Sequence, residues 1–138
     1  MKNKSTTPRK APKSSVSAPS REEELALARE IVQALQDTKG EEILLIDLAG
    51  RSPVADFVVI ATGRSQAHVR GLAAQAEERT AKTGVHPAVV EGMEEGSWVL
   101  MDYQSVILHL FHPETRRHYD LESLLEDYPR LPVPSSKE

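Results

Sequence analysis

In Asp56-Phe57-Val58-Val59-Ile60-Ala61-Thr62-Gly63-Arg64-Ser65-Gln66-Ala67-His68-Val69 the apolar pattern changes part-way along. Phe57 to Ala61 is an unbroken apolar run rich in β-branched residues, which reads as a strand covered on both faces. Thr62-Gly63 breaks the run and Ser65 is placed to cap a helix. Val69, Leu72, Ala73 and Ala76 then recur on one helical face up to Gly84. Strand, turn and helix in succession place the chain among the α/β proteins.

Upstream, Ile43 to Leu48 reads as a second buried strand, joined to the first by the turn Gly50-Arg51-Ser52-Pro53. Before it, Ser20-x-x-Glu23 has capping-box spacing, and Leu25, Ala28, Val32 and Leu35 give one apolar helical face that Gly40 ends. Downstream, a short strand is expected around Ala88 to Glu91. After Gly92 to Gly96, Trp98-Val99-Leu100-Met101-Asp102 and Val106 to Leu110 form a hairpin turning at Tyr103-Gln104-Ser105. Pro113 and Asp120 suit the starts of short helices, with Leu121, Leu124 and Leu125 on an apolar side. Pro129, Pro132 and Pro134 are expected to end regular structure. The expectation is a single α/β domain over residues 21–128, a mixed sheet of about five strands with flanking helices. Residues 1–20 read as a disordered basic Ser/Pro/Lys tail, and 129–138 as a Pro-rich tail.

Charge is unevenly spread. The net charge is −4, yet Lys2, Lys4, Arg9, Lys10 and Lys13 meet no acid before Arg21. All 21 acidic and 12 of the 17 basic residues lie beyond Ser20, leaving that part at −9. So acidic a body suits a basic protein surface better than a phosphate backbone, and little direct nucleic-acid binding is expected. With 39% hydrophobic and 28% charged residues the chain is in the globular range. No apolar run reaches the ~18 residues of a bilayer span, and the start lacks a secretory apolar segment. A cytoplasmic location is the expectation. The basic, acid-free tail resembles an organelle transit peptide in charge, but its prolines and lack of an apolar helical face argue against import. The absence of cysteine excludes disulfides, thiol catalysis and thiolate metal sites.

The most enzyme-like feature is Gly63-Arg64-Ser65, a junction where backbone N–H groups could hold a phosphate. It is similar to the strand-Gly-Ser-helix junction of nucleotidyltransferases. Two-metal phosphoryl transfer needs closely spaced carboxylates, and no Asp-x-Asp occurs; Asp47, Asp56 and Asp102 stand on separate segments. His109-x-x-His112 has metal-like spacing but no obvious third ligand, and His68 lies where packing or capping is the ordinary role. No catalytic residue, cofactor or metal is therefore expected. For binding, the informative segment is Trp98 to Tyr103. Alternation puts Trp98, Leu100 and Asp102 on one face and Val99, Met101 and Tyr103 on the other. If one face is open, a Trp among Met and Tyr makes a protein-binding hot spot; otherwise all of it is core.

The sequence closely resembles the ribosomal silencing factor family, also called Iojap-related. The resemblance is carried in order by Asp56 to Val69, Glu91-Gly92, Trp98 to Tyr103, Val106 to Phe111 and Arg117-His118-Tyr119-Asp120-Leu121-Glu122. It implies a nucleotidyltransferase-like α/β fold without catalytic carboxylates. It also implies binding to ribosomal protein fourteen of the large subunit, on the face turned to the small subunit, so that joining is sterically blocked and translation is repressed when nutrients are scarce. A role in large-subunit maturation and a homodimeric state are further implications. The docking residues expected on this basis are Trp98, Leu100, Met101, Asp102 and Tyr103, with Thr62, Ser65 and His68 beside them. Two departures are Gln104-Ser105, where the family has an Asp after the turn, and Leu124-Leu125, where it has Leu-Trp. The rival readings are a large-subunit assembly factor and a nucleotidyltransferase-like enzyme.

Overall fold

The computed structural model describes residues 20–48 and 50–134, so the basic tail before Ser20 and the last four residues lie outside the described residues. Helix α1 (Arg21–Asp37) starts with the expected capping box: Ser20 Oγ accepts from Glu23 N, and Glu23 Oε1 accepts from Ser20 N. Its buried residues Ala28, Ile31, Val32, Ala34 and Leu35 form the inward face. The helix stops before Gly40. Lys39 takes the left-handed conformation (φ 69°), and Gly40 N returns to Leu35 O at 2.7 Å. Gly40 is needed for closeness instead, because a Cβ there would lie 3.0 Å from Leu35 O and 3.3 Å from Leu72 Cδ2.

Strand β1 (Glu41–Asp47), β2 (Phe57–Thr62), α2 (Gln66–Ala81), β3 (Val89–Glu91), β4 (Trp98–Asp102), β5 (Val106–Phe111), α3 (Pro113–Tyr119), α4 (Leu121–Leu124) and β6 (Arg130–Leu131) follow in order. The sheet has six strands in the order β3-β4-β5-β2-β1-β6. β2 and β5 run parallel and the other neighbours antiparallel, so the sheet is mixed as expected. The sixth strand corrects the reading that Pro129 ends regular structure. Leu131 pairs with Leu45 and Arg130 with Ile46, between Pro129 and Pro132. Prolines cannot donate to a ladder, so such a strand is short and confined to an edge.

Helices α1 and α2 cover one face of the sheet, over Leu45, Phe57, Val59, Ala61, Val99, Met101, Leu108 and Leu110. The opposite face buries Ile46, Val58, Ile60 and Phe111 beneath Leu121, Leu125 and Tyr128. All six β2 residues are buried, as a strand covered on both faces requires. This second cover thins towards β3 and the turn end of β4 and β5, where Leu100, Asp102, Ile107 and His109 are only half-buried and Val89 is exposed. No helix among the described residues is long and apolar enough to cross a membrane.

Candidate functional site

The β4–β5 hairpin builds the open region. Tyr103 N bonds Val106 O at 2.9 Å, Gln104 takes φ 77°, and Asp102 Oδ1 accepts from Gln104 N at 2.7 Å. The turn sets the register Asp102↔Ile107, Leu100↔His109 and Trp98↔Phe111. Alternation then separates the expected docking residues. Met101 is fully buried under the helices and Tyr103 is 6% exposed, its hydroxyl 3.0 Å from Thr80 Oγ1. Both belong to the core, which corrects their assignment as partner contacts. Trp98, Leu100 and Asp102 stand on the other face.

Trp98 is the centre of an aromatic group. Its ring lies 5.0 Å from Phe111, 4.8 Å from Tyr119 and 5.9 Å from His109, centroid to centroid. Its Nε1–H donates to His109 Nδ1 at 3.1 Å, which makes His109 the neutral tautomer protonated at Nε2. Burial holds the His109 imidazolium down to a pKa of about 4. With the indole N–H already bonded, the face offers mainly ring and aliphatic surface: Trp98, Leu100, Ile107 and the 53% exposed Tyr119. Asp102 and exposed Glu91, which pairs with Leu100, edge it with negative charge. An apolar patch with an acidic rim can be covered by a protein surface of matching shape and basic edge. Sequence reasoning passed over Tyr119 and His109 as members of this face. The signal for His109 was its alternation with Ile107 across from Leu100.

Thr62, Ser65 and His68 do not join it as free contacts. Thr62 is buried, its Oγ1 accepting from Arg116 Nη1 at 2.7 Å. Ser65 caps α2, accepting from His68 N at 3.0 Å. His68 Nδ1 accepts from Arg64 N at 2.9 Å, and its Nε2–H donates to Thr38 O at 2.8 Å. Two of the N–H groups that could cradle a phosphate are thus bonded within the chain. Gly63 is required because a Cβ would meet Val69 Cγ2 and N at 2.8 Å, a packing demand that involves no ligand. Among the described residues no group of three His, Cys, Asp or Glu is placed to hold a metal ion.

The family model described as ribosomal silencing factor during starvation matches residues 20–138, the whole described domain. The chain belongs to the ribosomal silencing factor family. A ribosomal silencing factor of Bacillus subtilis is 36% identical over 96 residues, 70% of this chain and 81% of that relative. A mouse relative, called mitochondrial assembly of ribosomal large subunit protein 1, is 29% identical over 97 residues, 68% of this chain and 42% of its own length. The crystal structure of a Chromobacterium violaceum protein superposes with a TM-score of 0.72 at 28% identity, covering 83% of this chain and 95% of that one. The family expectation from the sequence holds, and the names given to these relatives describe ribosome silencing and assembly, not catalysis.

Proposed function

We propose that this member of the ribosomal silencing factor family docks in the cytoplasm on ribosomal protein fourteen of the large subunit and sterically blocks joining with the small subunit, repressing translation. The observation that carries the reading is the half-open sheet face around Trp98, an aromatic and aliphatic patch that Tyr119 at the end of α3 covers only in part. The acidic body, at −9 beyond Ser20, complements a basic ribosomal surface and steers the encounter. Such a protein needs no turnover, only affinity and a position overlapping the small subunit's contact. A homodimer is compatible with this mode of action if its interface leaves the Trp98 face free.

Pelleting with purified large subunits tests the docking. Trp98→Ala should weaken retention by about thirtyfold, the equivalent of roughly 2 kcal/mol for an aromatic anchor. Unchanged retention of the folded variant overturns the role of this face. The mouse relative's name favours a second reading, in which the same face holds the protein to an assembling large subunit. In that case the protein should ride on precursor particles and leave the joining of mature subunits unaffected.

A further inference from the structure

An indole N–H can only donate, so the 3.1 Å bond from Trp98 Nε1 makes His109 Nδ1 an acceptor. Burial keeps the ring neutral down to a pKa of about 4, and its one proton therefore sits on Nε2. Among the described residues this Nε2–H has no hydrogen-bond partner. It is not sealed in either. Glu122 Oε1 is the one buried side-chain polar atom left without a partner among the described residues, so the His109 Nε2–H reaches the surface.

The place it reaches is the open sheet face. His109 stands opposite Leu100 on β4 and Ile60 on β2. Two residues away along β5, and on the same face, are Ile107 and Phe111, with the Phe111 ring stacked at 6.1 Å. The donor thus emerges amid apolar side chains, while the acids of this face, Asp102 and Glu91, lie at its edge. Holding the Trp98 indole uses Nδ1 alone and gives Nε2 no task. Solvent can satisfy the N–H in the free chain. A surface that covered the patch without an acceptor at this point would strip the solvent away and leave the donor unpaired. A partner that places an acceptor there replaces the lost hydrogen bond and is favoured over one that does not.

We propose that His109 is a specificity-determining residue of the docking face, its Nε2–H donating to an uncharged oxygen, of a main-chain carbonyl, an amide or a hydroxyl, on the protein partner that covers Trp98. The inference rests on the docking reading above and adds to it the polar contact that fixes the partner's register on an otherwise apolar patch. A carboxylate is disfavoured as the acceptor, because Asp102 and Glu91 edge the same face with negative charge.

Substitutions in the full chain separate the two ring nitrogens. Asparagine puts its Oδ1 where Nδ1 stands, so His109→Asn keeps an acceptor for the indole and lacks the outward donor. Glutamine carries its amide N–H out to the Nε2 position, so His109→Gln keeps the donor and gives up the acceptor. His109→Leu has neither. Trp98 is the only tryptophan, so its indole N–H resonance and its fluorescence report the Nδ1 bond directly. His109→Asn should leave the indole signals close to those of the parent chain and lower retention on purified large subunits by about tenfold. Parent-like retention with unchanged indole signals overturns the proposal. His109→Gln and His109→Leu both release the indole and differ in the donor, so the glutamine variant should be retained about tenfold better than the leucine one. Equal retention of these two overturns the proposal, and this pair decides if the asparagine variant folds poorly or shifts the indole. Long-range proton–nitrogen spectra of the parent chain should show His109 protonated at Nε2, and a proton on Nδ1 would also overturn it. Failure of the parent chain itself to pellet with large subunits overturns the docking reading instead.

Discussion

Leu100 and Met101 are neighbours in the chain with opposite fates, and truncating each to alanine separates folding from docking. Met101 is fully buried between the sheet and the helices, so Met101→Ala removes its transfer free energy and leaves a sealed void. The cost should be about 3 kcal/mol. At about 4 °C per kcal/mol for a domain of this size, the melting temperature should fall by about 12 °C. Leu100 is half-buried on the open face, where solvent fills the space left behind. Leu100→Ala should cost roughly 1 kcal/mol of stability, a fall of about 4 °C. The order reverses on the ribosome. With both variants held well below their melting points, Leu100→Ala should lose about fivefold in retention on large subunits, and Met101→Ala should match the parent chain. Circular dichroism melts and sucrose-cushion pelleting measure the two quantities. Equal destabilisation by both, or weaker retention of Met101→Ala than of Leu100→Ala, would refute the division of faces.

Three other outcomes follow from particular contacts. His109 is neutral in the fold with a pKa of about 4 against an ordinary 6.5, so its contribution to stability is complete above about pH 6.5 and is lost as pH falls towards 4. That loss, up to about 3 kcal/mol, should be missing from the pH profile of chemical unfolding in His109→Gln. Tyr103→Phe removes the hydroxyl paired with Thr80 at 3.0 Å and should cost about 1 kcal/mol; combined with Thr80→Val it should cost less than the sum of the two single changes. Gly63→Ala forces a methyl to 2.8 Å from Val69 and should destabilise by about 2 kcal/mol or more in a melt, with or without phosphate present.

What could be read from the chain alone was whatever is written as a period or a cap. Phe57 to Ala61 announced a strand buried on both sides, Ser20 and Glu23 announced the start of α1, and alternation along Trp98 to Tyr103 separated the two faces of β4. Alternation has no sign, however, so it could not tell which face the helices would cover, and Met101 and Tyr103 were grouped with Trp98. The two-residue strand β6 lay beyond reach because Arg130-Leu131 between prolines carries no pattern; only pairing with Leu45 and Ile46 creates it. Buried Arg116 was hidden for a similar reason. In a helix of seven residues periodicity cannot mark an inward side, and an arginine reads as solvent-facing until Glu42, Thr62 and Glu122 are brought around it. Lys39 in the left-handed position next to Gly40 shows a glycine kept for close packing where turn chemistry was the natural reading.

The most direct measurement is a sucrose-gradient profile of purified small and large subunits mixed in magnesium, with and without the full chain. The protein should migrate with free large subunits and the joined-ribosome peak should shrink as its concentration rises, with Trp98→Ala needing about thirtyfold more protein for the same effect. A joined peak that keeps its full height while the protein stays at the top of the gradient would contradict docking and exclusion alike.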